Sequence, residues 1–248
     1  MSLLPGDGWE PETAGESATE VFRRGDVFAK CCGVDGVADL VAERDRVDWL
    51  AGTGIAGARL LDWIDGPAGA ALLTSAVPGV AAVELPWSER LSDSFAAALR
   101  EFHELPVETC PFERRLADAV TQAEDVVRRG AVNPQFLTDE WRQVAPEQLL
   151  AELHTALPAV QASAELVVCH GDACLPNFLF DPETLECTGA IDVGRLGIAD
   201  RYADLALVKA QFGDVWSVDA SGFFTTYGVT PDPRRLAFYR LLDSLTWG

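Results

Sequence analysis

The sequence predicts an α+β protein of two lobes, an N-terminal lobe of mainly antiparallel strands with one helix and a C-terminal lobe that is mainly helical. Short apolar runs separated by turn residues recur between residues 15 and 74. After residue 88, longer stretches place apolar residues at helical spacing. Residues 74–79 break both patterns, so we place the lobe boundary there, with domains at residues 1–77 and 78–248.

The composition indicates an acidic globular protein that is long enough for a large core. Its 248 residues contain 39 Asp and Glu against 19 Lys and Arg, a formal net charge of −20. Such a charge repels nucleic acid and attracts cations, although acidic proteins of salt-adapted organisms share it. Residues 1–20 lack the basic start and apolar core of a signal peptide, and no apolar stretch is long enough to span a bilayer. We expect a cytoplasmic monomer with no nucleic-acid or membrane partner.

The N-terminal lobe follows from strand and turn patterns. Residues 1–12 are rich in Gly, Pro and acids and predict an irregular lead-in. Strands at residues 21–24 and 27–30 form a hairpin around Gly25-Asp26. Helical spacing then predicts a helix at residues 40–51. Two more strands close the lobe, at residues 59–64 and 69–74.

The C-terminal lobe is dominated by amphipathic helical patterns. Helices are predicted at residues 88–104, 113–129, 147–157, 200–211 and 233–245. His103 lies on the apolar face of the first of these, which favours a packed, hydrogen-bonded histidine over a catalytic one. A buried strand at residues 166–169 and a hairpin at residues 178–180 and 189–191 interrupt the helices.

The six cysteines predict no disulfide and no zinc site. Their spacing matches no zinc motif, and the adjacent pair Cys31-Cys32 has awkward geometry for a disulfide. Reduced thiols are the plain interpretation. Cys174 lies two residues after the Asp172 of the motif described next, so a nucleophilic role is the alternative to a packed loop residue.

The chemistry is concentrated in three acceptor groups of one short stretch. His170-Gly171-Asp172 follows the buried strand directly, Asn177 precedes the hairpin, and Asp192-Val193-Gly194 follows it. The hairpin therefore brings Asn177 and Asp192 to the same end, where an amide and a carboxylate oxygen can bind Mg²⁺. Asp172 fits the carboxylate that orients an attacking hydroxyl in phosphoryl transfer. His-x-Asp, four residues, Asn, then Asp-x-Gly matches the catalytic and metal loops of protein kinases, with Gly171 in place of their Arg.

These motifs resemble the aminoglycoside phosphotransferases, antibiotic-resistance enzymes with a protein-kinase-like fold. The flanking segments are more narrowly similar to the streptomycin 3''-phosphotransferases: Cys-Pro-Phe-Glu-Arg-Arg at residues 110–115, Ala-Val-Asn-Pro at 131–134, Gly-Arg-Leu-Gly at 194–197 and Leu-Thr-Trp-Gly at the end. The resemblance runs from about Gly15 to the last residue. It implies ATP-dependent phosphorylation of an aminoglycoside, most specifically streptomycin at its 3''-hydroxyl, with ATP and Mg²⁺ as cofactors.

The resemblance also implies roles for individual residues of the N-terminal lobe. The loop at residues 15–19, with Ser17 as a donor, lies over the ATP phosphates. Lys30 binds those phosphates and is held by Glu43. Outside this frame, Lys30 would be a solvated strand-end lysine and Glu43 an exposed helix acid. The backbone at Ser75, Ala76 and Val77 is the expected hinge that binds adenine.

On the substrate side, the resemblance makes Asp204 a brace for the catalytic loop. The expected contacts to the cationic antibiotic are Asp172, Asp200, Asp243 and the terminal Gly248. Three alternatives stay open: a kinase of another aminoglycoside or small hydroxylated metabolite, a catalytically silent binding protein, and a metal-dependent hydrolase built on His170 and Asp172. The silent protein would be expected to have lost one of the three motif acceptors, and none is lost. The hydrolase would want further His ligands, and neither His103 nor His154 lies in a metal motif.

Overall fold

A computed structural model describes residues 3–12 and 19–247 of the chain. By their internal contacts, these residues fall into two compact units. The first unit runs to Leu85 and also includes Pro176–Arg195, and the second combines Pro86–Leu175 with the residues from Leu196 onward. The hairpin of the predicted metal residues therefore belongs to the unit formed by the N-terminal third of the chain. The division into lobes at residues 1–77 and 78–248 remains a prediction.

The strands of the described residues are β1 (Glu10–Glu12), β2 (Glu20–Arg24), β3 (Val27–Cys32), β4 (Leu60–Gly66), β5 (Gly69–Ser75), β6 (Val80–Ala81), β7 (Leu166–Cys169), β8 (Phe178–Phe180), β9 (Cys187–Ala190) and β10 (Gly197–Asp200). The helices are α1 (Val37–Leu50), α2 (Glu89–His103), α3 (Leu116–Arg128), α4 (Pro146–Ala162), α5 (Tyr202–Asp214), α6 (Ser221–Tyr227) and α7 (Pro233–Leu245). Among the described helices, none is both long enough and apolar enough to cross a membrane.

The first unit is built on a five-stranded antiparallel sheet of order β1-β2-β3-β5-β4. Gly25 has a φ of +60° in the β2–β3 turn, a conformation that glycine adopts without a steric penalty. Strand β5 is buried along most of its length because both of its faces are covered. One face packs on α1 through Cys32, Leu40, Ala70 and Leu72. The other face packs on the N-terminal segment through Leu4, Ala29, Cys31, Ala71 and Leu73.

Strand β1 corrects the prediction of an irregular lead-in over residues 1–12. Its three residues pair with Val21–Arg23 at the edge of the sheet. Pro11 is tolerated there because an edge strand leaves one row of N–H groups unpaired. Helix α1 begins at Val37, three residues before the predicted start, and buries Leu40, Val47 and Leu50.

A second sheet in the same unit has the order β6-β8-β9. Strands β8 and β9 form the predicted hairpin, with Phe178 opposite Ala190. The Asp181 side chain accepts hydrogen bonds from the backbone N–H groups of Glu183 and Thr184, at 2.9 and 2.8 Å. This closes the turn in the way that Asp and Asn side chains favour.

The second unit combines α2–α7 with an antiparallel pair of strands, β7 and β10. Ser88 caps α2 by accepting the Leu91 N–H at 3.2 Å, and Phe95, Leu99 and Phe102 are buried. Helix α3 starts later than predicted because residues 112–114 run along β10, where Ile198 N–H donates to Phe112 at 2.8 Å. Helix α4 continues past the predicted end to Ala162, with Pro158 inside it.

Helix α5 begins at Tyr202, two residues after the predicted start at Asp200. Asp200 instead ends β10, a strand that the sequence did not predict. Helix α6 was likewise not predicted, whereas α7 has the predicted bounds and is capped by Asp232, which accepts the Arg234 N–H at 2.8 Å.

Candidate active site

Lys30 is held by carboxylates on two sides within the first unit. Its Nζ donates to both oxygens of Glu43, at 2.8 and 2.9 Å, and to Oδ1 of Asp192 at 3.0 Å. Strand β3 places Lys30 opposite Leu72, and α1 presents Glu43. Burial works to lower the pKa of Lys30, but the two carboxylates outweigh it and raise that pKa. The lysine is therefore a fixed positive charge.

The two predicted metal residues, Asn177 and Asp192, lie at one end of the β8–β9 hairpin. The Ile191 N–H donates to the Asn177 carbonyl at 2.9 Å, which ties the two chain segments together just beyond the strands. Asn177 is buried, whereas the Asp192 side chain is 46% exposed. Asp192 has a φ of +56°, uncommon for a residue other than glycine. An amide and a carboxylate at this point are the hard oxygen donors that Mg²⁺ prefers.

The segment that carries Asp192 is fixed by backbone contacts on both sides. Before it, Ala190 N–H donates to the Ala56 carbonyl at 3.0 Å, and Ala190 also forms a bridge with Gly57. After it, a Cβ added at Gly194 would lie 3.5 Å from Oε2 of Glu43. The absence of a side chain at Gly194 therefore lets the loop pass close to the carboxylate that holds Lys30.

The predicted hinge begins at Ser75, the last residue of β5, and continues through Ala76 and Val77. The Ser75 N–H donates to the Arg59 carbonyl at 2.9 Å, and the Ala76 N–H donates to the Asp26 carbonyl at 2.8 Å. Both donors are thus used within the unit. A nucleotide contact at this hinge would have to use carbonyl groups or Val77, whose Cγ1 lies 2.9 Å from a Cβ built at Gly189. Ser17 and Gly248, two further predicted contacts, lie outside the described residues.

The catalytic-loop motif occupies the end of β7 in the second unit. His170 is fully buried, and Gly171 has a φ of +85°. Both backbone N–H groups donate to Asp204, His170 to Oδ2 at 2.7 Å and Gly171 to Oδ1 at 2.8 Å. The half-buried Asp172 follows directly, and its own N–H donates to Nδ1 of His170 at 3.3 Å. Asp204 therefore fixes the backbone from which the predicted base projects.

Cys174 is a hydrogen-bond donor to the predicted base. Its Sγ lies 3.2 Å from Oδ1 of Asp172. Burial, and then the nearby carboxylates of Asp172 and Asp243, raise the pKa of the Cys174 thiol well above its usual range. A thiol that keeps its proton is a poor nucleophile, so the geometry disfavours the alternative of cysteine chemistry here.

Asp204 is completely buried and also contacts His103, the histidine that the sequence favoured as a packed helix residue. Nε2 of His103 lies 3.1 Å from Oδ2 of Asp204, and its Nδ1 lies 2.5 Å from the hydroxyl of Tyr227. Burial alone would raise the pKa of Asp204, but the hydrogen bonds from His103 and from Gly171 N–H lower it. The partners of His103 come from two other helices, so no local pattern could have identified this cluster.

Among the described residues, His103 and Asp204 also belong, with Cys169, to the one group spaced closely enough to hold a metal ion. Both ring nitrogens of His103 and both oxygens of Asp204 already take part in hydrogen bonds. Nδ1 of His170 accepts the N–H of Asp172. The donor set offers little support to the hydrolase alternative, whose metal needs free ligand atoms.

Two of the three predicted substrate acids of the second unit, Asp200 and Asp243, line one cavity of about 450 Å³. Asp200 is buried and forms an ion pair with Arg235, which also donates to Oε1 of Glu165 at 2.9 Å. This pair occupies one oxygen of Asp200, and a substrate contact at Asp243 remains a prediction. A substrate contact at Asp200 also remains a prediction.

The antiparallel sheet with its single packed helix, and the helical unit with the Asp172 loop, are elements of a protein-kinase-like fold. The chain belongs to the phosphotransferase enzyme family, whose sequence profile matches residues 11–239. It is 49% identical over 255 residues to the streptomycin 3''-kinase of Streptomyces griseus, covering 98% of this chain and 94% of that protein. The aminoglycoside 3'-phosphotransferase of Streptomyces fradiae is 44% identical over 215 residues, 83% of this chain and 79% of that protein.

Solved structures agree with these sequence relatives. Aminoglycoside phosphotransferase APH(3'')-Id from Streptomyces rimosus, in complex with ADP and streptomycin, superposes with a TM-score of 0.90 at 47% identity, covering 98% of this chain and 95% of that chain. A type VIII aminoglycoside-3'-phosphotransferase gives a TM-score of 0.84 at 35% identity, with 97% and 94% covered. The predicted fold class and family are confirmed.

Proposed function

We propose that this protein transfers the γ-phosphoryl group of ATP to the 3''-hydroxyl of streptomycin and so confers resistance to that antibiotic. The observation that carries the proposal is the Lys30 ammonium, which donates to Glu43 on one side and to Asp192 on the other. That cluster is the arrangement by which kinases hold nucleotide phosphates next to a metal ligand. The nearly full-length relationship to a streptomycin 3''-kinase supports the choice of substrate.

On the nucleotide side, Lys30 binds the phosphate oxygens. Glu43 holds the Lys30 side chain in position for this contact. Asn177 and Asp192 would hold Mg²⁺, and the bound ion would neutralise charge on the phosphates. The first unit thus supplies an ammonium group for the polyphosphate and two oxygen ligands for the metal ion. Adenine binding by the backbone at residues 75–77 remains part of the proposal.

On the acceptor side, Asp172 takes the proton of the antibiotic hydroxyl. The hydroxyl oxygen forms a bond to the γ-phosphorus while the bond from that phosphorus to the bridging oxygen breaks, and ADP leaves. The proton then passes from Asp172 to solvent. General-base catalysis of this kind contributes about 10²- to 10⁴-fold in rate. Asp204 holds the preceding two residues in place, so that Asp172 is already oriented.

The substrate is a polycation, and the charge of the protein is suited to it. The net charge of −20 attracts cations from solution. Asp243, on the wall of the cavity, supplies a carboxylate for a guanidinium group of streptomycin. The phosphate adds about −1.5 to −2 charges to the drug, which weakens its attraction to anionic RNA. We place the reaction in the cytoplasm, where ATP and the ribosomal target occur together.

A second candidate substrate is an aminoglycoside that is phosphorylated at a 3'-hydroxyl. The relationship to 3'-phosphotransferases at 44% identity favours it over unrelated metabolites. Phosphorylation of either candidate substrate would use the same nucleotide site and Asp172. The two proposals therefore differ only in how the antibiotic is bound.

The proposal is tested by ADP release from ATP and Mg²⁺ with streptomycin, kanamycin, neomycin and choline offered separately. Turnover with streptomycin alone, absent in Asp172→Ala, is the expected result. Turnover with kanamycin or neomycin instead would keep the mechanism and replace the substrate. No turnover with any of the four, from a folded protein that binds ATP, would overturn the proposed function.

A further inference from the structure

A buried chain of hydrogen bonds connects helices α2 and α6 to the loop that carries Asp172. Tyr227 on α6 meets Nδ1 of His103 at 2.5 Å, and Nε2 of His103 meets Oδ2 of Asp204 at 3.1 Å. Asp204 in turn accepts the backbone N–H groups of His170 and Gly171, at 2.7 and 2.8 Å. All five residues belong to the second unit, so the chain of contacts is internal to it.

The hydrogen bond between His103 and Asp204 has a defined direction. The pKa of Asp204 is lowered, since its hydrogen bonds outweigh the opposing effect of burial, and an ionised carboxylate only accepts hydrogen bonds. His103 must therefore donate from Nε2. The other ring nitrogen, Nδ1, lies within hydrogen-bond distance of the Tyr227 hydroxyl. Burial raises the pKa of Tyr227, so that this hydroxyl keeps its proton.

The orientation of Asp204 decides where Asp172 points. Gly171 has a φ of +85° and is held in that conformation while its N–H reaches Oδ1 of Asp204. A rotation of the carboxylate would release this N–H and that of His170 together. Asp172 is the next residue, so its carboxylate would lose the fixed direction needed for in-line attack. His103 lies on α2 and donates to Oδ2, the oxygen that also accepts the His170 N–H. This second hydrogen bond opposes the rotation.

We propose that His103 is a positioning residue for phosphoryl transfer, acting on Asp172 through Asp204 and the loop backbone. The inference rests on the proposed function, because it assigns Asp172 as the base. His103 touches neither reactant in this scheme. It differs from a simple packing residue because its effect depends on the Nε2–H donor and not on the volume of the ring.

The kinetic test compares substitutions that separate hydrogen bonding from volume. His103→Leu removes the donor, and we expect kcat to fall about 10- to 100-fold, since a misplacement near 1 Å costs about 10²-fold. The KM for ATP should stay within about twofold, because Lys30 and Glu43 are untouched. His103→Gln places an amide N–H near the Nε2 position and should restore kcat to within about fivefold of the wild type. Tyr227→Phe, which removes only the outer hydroxyl, should have an intermediate kcat.

The matched control is His154→Leu. This second histidine lies on α4, is 42% exposed and contacts Glu124 at 3.1 Å, so we expect wild-type kcat. A His103→Leu protein with wild-type kcat would overturn the proposal. So would His103→Gln and His103→Leu proteins with equally reduced kcat, because the donor would then not matter.

Amide hydrogen exchange separates this inference from the proposed function, since it needs no substrate. We expect His103→Leu to accelerate exchange at His170 and Gly171 by about tenfold or more relative to slow amides in α5 and α7. That result would support the positioning role even if streptomycin were the wrong substrate. Equal acceleration at all slow amides would mean a loss of overall stability, and unchanged exchange at the two loop amides would mean no coupling; either overturns the proposal.

Discussion

Nζ of Lys30 donates to Oε1 and Oε2 of Glu43 at 2.8 and 2.9 Å, so one ammonium group occupies both oxygens of a carboxylate on a different element. The two side chains are only 18% and 13% exposed. Because the pair is largely shielded from water, burial opposes the attraction of Lys30 and raises the pKa of Glu43. Its geometry fixes the Lys30 ammonium next to Asp192, at the end of the β8–β9 hairpin.

Replacing Glu43 should impair nucleotide use more than overall folding. In Glu43→Gln, Lys30 loses its ionic partner and retains Asp192, so we expect kcat/KM for ATP to fall about tenfold, and about 10²-fold or more in Lys30→Met. Steady-state kinetics with ATP varied will measure this. Asp45→Asn is the control, since Asp45 lies on the same helix and pairs with Arg44 at 2.7 Å. Equal kcat/KM in Glu43→Gln and Asp45→Asn would contradict the assignment.

The metal assignment predicts a change in magnesium dependence. Asn177→Ala removes one proposed ligand, and the Mg²⁺ concentration for half-maximal activity should rise at least about tenfold. Asp192→Ala should lose nearly all activity. Gln148→Ala serves as control, because Gln148 carries an exposed side-chain amide on α4. A magnesium titration of Asn177→Ala that superimposes on that of the control would refute a ligand role for Asn177.

Asp243 should affect binding of the antibiotic and not the chemical step. A hydrogen bond to a charged group is worth about 1.5–3 kcal/mol, so Asp243→Asn should raise the KM for streptomycin about tenfold with kcat nearly unchanged. Asp125→Asn is the matched acid on α3, where Asp125 pairs with Arg129 at 2.7 Å. If both variants have the wild-type KM, Asp243 is not a substrate contact.

Acid unfolding should report the ionised state of Asp204. Its pKa in the folded protein is depressed below the ordinary 3.8, so its carboxylate stabilises the fold above pH 3.8, and this contribution is lost as pH falls through the depressed value. The difference in free energy of unfolding between wild type and Asp204→Asn should therefore be constant well above pH 3.8 and decrease as the pH falls below it. Urea unfolding at a series of pH values measures it. A difference that is constant with pH would show that Asp204 does not titrate as described.

Gly189 provides a test of the packing beneath the hinge. It has a φ of +152°, and an added Cβ would lie 2.9 Å from Val77 Cγ1 and 3.0 Å from the Ala56 carbonyl. We expect Gly189→Ala to lose about 1–3 kcal/mol of stability from overpacking and strain. Gly222→Ala, in α6 with nothing within 4 Å, should be neutral or slightly stabilising. Equal denaturation midpoints for the two variants would contradict the crowding.

Much of the fold could be predicted because its signals are local. The β2–β3 hairpin has alternating apolar residues around Gly25-Asp26, and α7 has a capping Asp232 with Pro233 after it. Strand β10 could not be predicted in the same way. Its four residues, Gly-Ile-Ala-Asp, become a strand only by pairing with β7, which lies about thirty residues earlier in the chain.

The same contrast applies to the candidate site. Asn177 and Asp192 could be brought together from sequence because a hairpin joins them, and the spacing from Asp172 matched a kinase core. His103 could not be recognised, since its partners Asp204 and Tyr227 are 101 and 124 residues away. The hinge prediction was limited for a similar reason: only the folded sheet shows that the N–H groups of Ser75 and Ala76 are already used.

The most direct test of the central claim is the product itself. Streptomycin incubated with the protein, ATP and Mg²⁺ should give a phosphomonoester signal in ³¹P NMR that couples to the proton at carbon 3'', and Asp172→Asn should give none while still binding ATP. A phosphorylated product at another position would contradict the assigned acceptor. ADP formation without any phosphorylated streptomycin would contradict phosphoryl transfer to the antibiotic altogether.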